Sequence, residues 1–361
     1  MTQTATLHPA LYPARSAWRR DDLTCDPTWI YDLTPEALQE MAQAARRLPD
    51  DPQGWLDLNP EQIEAPRLKA VLAAVAAELE NGRGVALVRN IPVHLPLAEV
   101  YRQYWILAAL MGRPVPHNGK GDVFGQGTDL GSRYGTDPFA RGYTSTDEMV
   151  FHNDAGDVAG LLCIRSAKDG GVSSVVSTMA MYREAEATGD LDLMAALRRG
   201  FRMVIRDDAG SNAKMGNTAS RSVTHRRAPV YREWEGRLSG AVNLKSVGVV
   251  PQVTGEPFDE GEAKAFEFLS RTSEREDLKY SFMLAPGELL FMHNLVVLHK
   301  RSAFVDHPEP NRKRLLLRFW LALHNGRALP PDMAGLRRGF AANKVVNAVT
   351  ERTPEPQGGE P

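Results

Sequence analysis

Cysteine is almost missing from this chain: among 361 residues there are two, Cys25 and Cys163, set far apart. That spacing offers neither a disulfide framework nor a zinc knuckle, and it leaves two reduced thiols, Cys163 within an apolar strand. No apolar stretch is long enough to cross a bilayer. The N-terminus lacks a basic start followed by an apolar run, so no signal peptide is read. Neither charge dominates: 43 Lys and Arg stand against 45 Asp and Glu, a formal net charge of -2. No global basic field for nucleic acid follows from that balance, and Arg312-Lys313-Arg314 needs a local explanation. There is no internal repeat and no glycine-rich strand-to-helix fingerprint. These absences lead to the expectation of a cytoplasmic protein whose partner is a small molecule, neither nucleic acid nor membrane. What is present is hydrophobic content of 43%, ample for a buried core.

Residues 1–34 are rich in proline and charge, with Trp18, Trp29 and Tyr31 scattered among them. They read as an arm lying on the domain, with little regular structure, and a single domain is expected over 35–325. Pro35 suits a first helical turn, and Leu38, Met41 and Ala45 share a face, which predicts a helix to Arg47. Leu68, Val71, Leu72, Val75 and Leu79 predict a stronger helix over about 65–80, stopped by Gly82. Gly84 to Val88 reads as a strand and 97–111 as a helix. From 114 to 146 glycines, Asn118, Gln126, Tyr134 and Tyr143 are interleaved without period, as in a surface loop or a lid over a pocket. Strands are expected at 160–164 and 172–177, and helices at 179–187 and 191–198. Residues 209–227 read as a polar insertion and 240–250 as strand-like. Asp259 is placed to cap a helix reaching 272. Strands are predicted at 280–284, 289–292 and 315–323, with Pro286-Gly287 turning between the first two. Residues 326–361 read as a fraying tail. Short strands with helices before and between them predict an α+β protein with a mainly β core, a sandwich or jelly roll buttressed by helices.

Phe151-His152-Asn153-Asp154 places an imidazole and a carboxylate two residues apart. On a strand, residues i and i+2 face the same way. With a second histidine from elsewhere, the pair makes the two-histidine, one-carboxylate triad of non-haem iron(II) oxygenases. Alone, the motif is weak in a chain with nine histidines, where it equally describes a surface histidine beside a solvated aspartate. The text downstream is more specific. The run from Leu289 ends in His299, and Arg314, Leu316 and Arg318 then share one face of a strand. A guanidinium cannot shed its charge, so that face needs an anion. A core carboxylate would serve; so would a dicarboxylate co-substrate gripped bidentately at one end while it chelates metal at the other.

Four ordered blocks carry a resemblance. They are Asn81 to Pro92; Phe151 to Asp154 with Gly170-Gly171-Val172-Ser173; Pro286-Gly287-Glu288; and His299 to Phe304 with Arg314 and Arg318. Over roughly residues 70–325 the chain resembles the TauD/TfdA-like (clavaminate synthase-like) iron(II)/2-oxoglutarate-dependent dioxygenases. The resemblance implies a double-stranded β-helix, with Fe(2+) bound by His152, Asp154 and His299. It implies that Arg314 clamps the distal carboxylate of 2-oxoglutarate, helped by Ser173, which stands where threonine is usual. Arg318 occupies a position that contacts either co-substrate or substrate. The implied reaction consumes O2 and 2-oxoglutarate, releases succinate and CO2, and hydroxylates by default; desaturation, cyclisation and epoxidation use the same residues. The carboxylate at Asp154 disfavours halogenation. Two residues depart from the family pattern: His293, read as lying on the same strand as His299, and His117, which replaces a common glutamine. Asn118, Tyr143, Asn153, Asp157, Asn243, His293 and Asn294 form the candidate substrate wall. That polarity favours a small carboxylate or amino-acid-like molecule, and the bulk of 114–146 would admit a natural-product intermediate. Two other classes compete: a non-catalytic jelly-roll binding protein, and a zinc-dependent hydrolase, which would not need the Arg314 clamp. Relatives are often homo-oligomers, but no interface is legible here.

Overall fold

The computed structural model describes residues 11–118, 120–137, 142–205 and 222–339. Eleven strands build its two main sheets. In chain order they are β1 (Ile30–Asp32), β2 (Val85–Arg89), β3 (Gly112–Pro114), β4 (Phe124–Gly127), β5 (Met149–His152) and β6 (Val158–Arg165), followed by β7 (Ser173–Ser177), β8 (Tyr280–Phe282), β9 (Leu289–His293), β10 (Val297–Arg301) and β11 (Leu315–Leu323). The larger sheet runs β1-β2-β9-β6-β11-β3, with β4 also paired to β11. The smaller runs β8-β7-β10-β5. All of these pairings are antiparallel except β1 with β2.

The sequence of β11 explains the layering. Apart from Arg318, its residues are apolar without alternation, as a strand covered on both faces requires. Leu315, Leu317, Phe319 and Leu321 face outward, into a core shared with helices α1 (Pro35–Arg46), α2 (Pro66–Asn81) and α3 (Leu97–Met111). Leu316 and Trp320 face inward, into a core shared with the smaller sheet and with α4 (Thr178–Ala187), α5 (Leu191–Arg199) and α6 (Glu260–Ser273). The helices form where periodicity and caps predict them; Asp259 and Glu262 make a reciprocal capping box at the start of α6. The result is the jelly-roll core with flanking helices that the strand pattern predicts.

Several local expectations are corrected. The arm before residue 35 is integrated: β1 extends the larger sheet, and Trp18 and Trp29 are buried. The indole of Trp18 donates to the Arg83 carbonyl at 2.8 Å. Two aromatic anchors supply large buried area without any periodicity to announce it. Residues 240–250 are not a strand. Asn243 accepts from Ser246 N at 2.9 Å and caps a helix over Leu244–Gly248. The apolar run from Leu289 to His299 is two strands, not one: it turns at residues 294–296, so His293 and His299 lie in different sheets. Beyond residue 325, the stretch to 339 packs on the domain, with Arg327 and Arg337 bonded into it. The lid region 114–146 contributes β4 and a short turn at Gly142–Thr144. Most of the expected insertion at 209–227, and the tail after 339, lie outside the described residues.

Candidate active site

Strand pairing brings the two histidines together. His299 on β10 is the registered partner of His152 on β5. Their rings lie 4.3 Å apart between centroids. Asp154 sits just past the end of β5, and its Oδ2 is 3.7 Å from His299 Nε2. One ligand atom from each of the three lies within 4.8 Å of the others, and this is the one such cluster among the described residues.

The surrounding bonds fit a metal. The Nδ1 of His152 is 2.9 Å from the Val150 carbonyl, which fixes that nitrogen as the donor and leaves Nε2 to the cluster. His299 Nδ1 and Asp154 Oδ2 are buried without a hydrogen-bond partner among the described residues. Leaving the Asp154 oxygen unpaired costs about 1–3 kcal/mol, which coordination would offset. Burial and the neighbouring His152 push the His299 imidazole down to about 3, so it is neutral at physiological pH, as a ligand must be. Burial alone would raise the Asp154 carboxyl, but Arg318 and the two imidazoles hold it below its ordinary value.

These three residues line a cavity together with Ser173, Arg314 and Arg318. Its floor is apolar, from Leu161, Leu290, Met292 and Leu316. Arg314 is buried, and among the described residues its guanidinium bonds the Gly127 carbonyl, at 3.4 Å, and lies over the face of Phe304. Burial pulls it down to about 10, so it remains a cation at neutral pH. Arg318 is held between the rings of Tyr143 and Trp320, at 4.5 and 4.6 Å. Its Nη1 stands 3.5 Å from Asp154 Oδ2, while Nε and Nη2 are buried without hydrogen-bond partners among the described residues. Tyr143 also lines a second cavity, of about 520 Å³, with Tyr101, His117, Asn118 and Gln126.

Seven of the candidate residues therefore converge on the first cavity: His152, Asp154, Ser173, His299, Arg314, Arg318 and Tyr143. Asn118 lines the second, where its side chain bonds Asp122. Five lie apart from both. Asn153 donates to the neighbouring Asp154 carbonyl, and Asn243 is a helix cap. Asn294 bonds the backbone of the Asp154 loop, and Asp157 pairs with Arg337. His293 is fully buried against Glu80 at 2.9 Å. Their polarity serves buried backbone and ion pairs, which a one-dimensional reading cannot separate from a pocket wall. Arg301, which was not singled out, lines the cavity and donates to the Ser145 and Asp147 carbonyls. Its place two residues after His299 on one strand was the available signal.

Known proteins agree with this geometry. The family model of the taurine catabolism dioxygenase TauD, TfdA family matches residues 46–320, and the chain belongs to that family. It is a 2-oxoglutarate-dependent non-haem iron dioxygenase, using Fe(II), 2-oxoglutarate and O2. FR-33289 synthase of Streptomyces rubellomurinus (strain ATCC 31215) is 27% identical over 334 residues, covering 91% of this chain and 95% of that protein. The fold is similar to that of asparagine oxygenase solved with Fe(II), 2S,3S-3-hydroxyasparagine and succinate, with a TM-score of 0.62 at 18% identity over 81% of this chain and 93% of that one. It is also similar to the non-haem iron oxygenase OrfP with Fe and alpha-ketoglutaric acid, with a TM-score of 0.59 at 14% identity over 81% and 94%.

Proposed function

We propose that this dioxygenase hydroxylates a small molecule bearing an anionic group, of the carboxylate, amino-acid-like or natural-product kind, and that His152, Asp154 and His299 hold its iron. When bound, iron and 2-oxoglutarate supply oxygen activation coupled to decarboxylation of the co-substrate. The chain's own residues do the rest. Arg314 holds the distal carboxylate of 2-oxoglutarate, with Ser173 lining the same cavity. The apolar floor excludes water from the reacting atoms. Arg318 meets the anionic group of the substrate and fixes which C–H bond faces the metal.

The observation that carries this reading is the Arg318 guanidinium, buried with two of its nitrogens lacking a hydrogen-bond partner among the described residues, against a cavity that also holds the metal cluster. A fixed cation in that setting binds an anion more strongly than it would in water. The structural neighbours named above, solved with hydroxylated asparagine and, for OrfP, with (3S)-hydroxy-L-Arg, supply an analogy for amino-acid substrates.

The test is a panel of small acids, amino acids and their amide or ester analogues, read by succinate release and by a one-oxygen mass gain in the product. An acid is expected to stimulate turnover where its neutral analogue does not, and Arg318→Ala is expected to remove that difference while keeping the iron–2-oxoglutarate absorption band. Equal stimulation by acid and neutral analogue would overturn the assignment of Arg318. Loss of the band in Arg318→Ala would move Arg318 to the co-substrate.

A further inference from the structure

The loop that delivers Asp154 is held from outside the jelly roll. Asp157, three residues on, is 1% exposed and points away from the cavity. The Nε of Arg337 donates to both of its carboxylate oxygens at 2.8 Å. Leu323 N adds a third bond to Oδ2, at 2.9 Å. Between the two aspartates, Gly156 has φ +78°, and its N–H donates to the Leu336 carbonyl at 2.9 Å. A side chain at 156 would meet the Leu321 backbone at 2.8 Å, so only glycine lets the loop pass this close to β11.

A second set of bonds reaches the same loop from the other side. Asn294, in the turn between β9 and β10, donates to the Ala155 carbonyl at 2.9 Å, accepts from Asp154 N at 3.2 Å, and gives its own N–H to the Asp157 carbonyl at 2.8 Å. The C-terminal segment is itself anchored. Arg337 Nη2 donates to the Arg327 carbonyl, and Arg113 Nη2 to the Arg337 carbonyl. Arg327 reaches Glu80 at 2.7 Å, and Glu80 takes the bond from His293. One polar network thus runs from β9 through Glu80, Arg327, Arg337 and Asp157 to the backbone of the metal loop.

We infer that Arg337 is a positioning residue for the metal centre: through Asp157, and with the Leu336 carbonyl, it fixes the conformation of residues 154–157 and so the aim of the Asp154 carboxylate. The inference rests on the metal-site reading above. Arg337 touches neither cavity, so its effect passes through the loop. Partners that orient a ligand without touching the metal typically control 10- to 100-fold in metal affinity.

The experiment uses the full-length chain, stripped of metal and titrated anaerobically with Fe(II) against a coloured chelator. It compares wild type, Arg337→Ala, Arg337→Lys and the double change Arg337→Ala with Asp157→Asn. The melting temperature of each metal-free variant is measured alongside. Arg337→Ala is expected to weaken Fe(II) binding on the order of 10- to 100-fold. Arg337→Lys should recover most of the loss, because it restores a cation beside Asp157. The double variant removes the stranded charge together with its partner. It keeps the test available if Arg337→Ala does not fold, and it should still bind iron more weakly than wild type. Lower melting temperatures with Fe(II) affinity within twofold of wild type in the folded variants would overturn the inference and leave Arg337 as a stabilising contact only. Failure of the underlying site reading looks different: wild type itself would give no iron–2-oxoglutarate band.

Discussion

Arg318 and Gly125 are registered partners across the β11–β4 ladder, and a methyl group at 125 would lie 3.5 Å from Arg318 Nε and 3.3 Å from the His117 ring. The glycine leaves room for the guanidinium beside the wall between the two cavities. Gly125→Val is expected to raise the substrate KM by about tenfold or more, while 2-oxoglutarate binding changes little. An unchanged substrate KM, measured by succinate release at saturating 2-oxoglutarate, would show that substrate does not use the space beside Arg318.

Arg314 sits one residue before β11, buried, its guanidinium making one long bond among the described residues, to the Gly127 carbonyl. A charge-assisted hydrogen bond to a carboxylate contributes about 1.5–3 kcal/mol. Arg314→Ala should therefore weaken 2-oxoglutarate by roughly 10- to 150-fold. Arg314→Lys should recover part of the loss, because a lysine gives a cation without the bidentate fork. Anaerobic titration of the absorption band with 2-oxoglutarate measures both.

Removing metal should abolish turnover, and Fe(II) should restore it. The cluster atoms left unpaired predict a second effect, on stability. A ligand at 100 times its Kd stabilises by about 2.7 kcal/mol, so Fe(II) should raise the melting temperature by a few degrees. His299→Ala is expected to lose that increment, since two side chains remain where three converged. A metal-dependent rise of equal size in His299→Ala would place the ion elsewhere.

Glu80 supplies the pH dependence. Burial would raise its carboxyl, but the bond from His293 and the charge of Arg327 bring it down to about 2 from an ordinary 4.5. His293 is the neutral partner. Its Nδ1 accepts from Leu295 N, its Nε2–H donates to Glu80, and burial lowers its own pKa. A carboxyl depressed in the folded state contributes stability that is complete above its unfolded value, and loses it as pH falls through the folded one. The contribution, on the order of 2–3 kcal/mol, should therefore vanish between about pH 4.5 and 2. Urea melts of wild type and Glu80→Gln should converge across that window. Two acid limbs that stay parallel would remove Glu80 from the account.

How far the sequence could be read follows from the range of the physics. Helical spacing in α2, the Asp259 cap and the continuous apolar run of β11 are local signals, set by backbone geometry within a turn or a few strand residues. His152 and Asp154, and Arg314 and Arg318, were legible as neighbours from spacings of two and four residues, although Asp154 lies just past the end of β5 and Arg314 just before β11. Trp18 and Trp29, buried in an arm without period, were not legible, and neither were the roles of Asn243, Asn294 and Asp157. A buried asparagine that caps a helix and one that lines a pocket are the same letter.

By itself, then, the sequence determined the six longer helices, most strands, and the chemical types available for an iron and a dicarboxylate. The tertiary structure alone decided which of them meet. His299 faces His152 only because β10 pairs with β5, and His293, six residues earlier, is carried into the other sheet by the turn at 294–296. Arg337 reaches Asp157 across 180 positions. Contacts of that range are fixed by sheet register and by the need to pair buried charge. Both are properties of the packed chain, and neither is written in a short stretch of it.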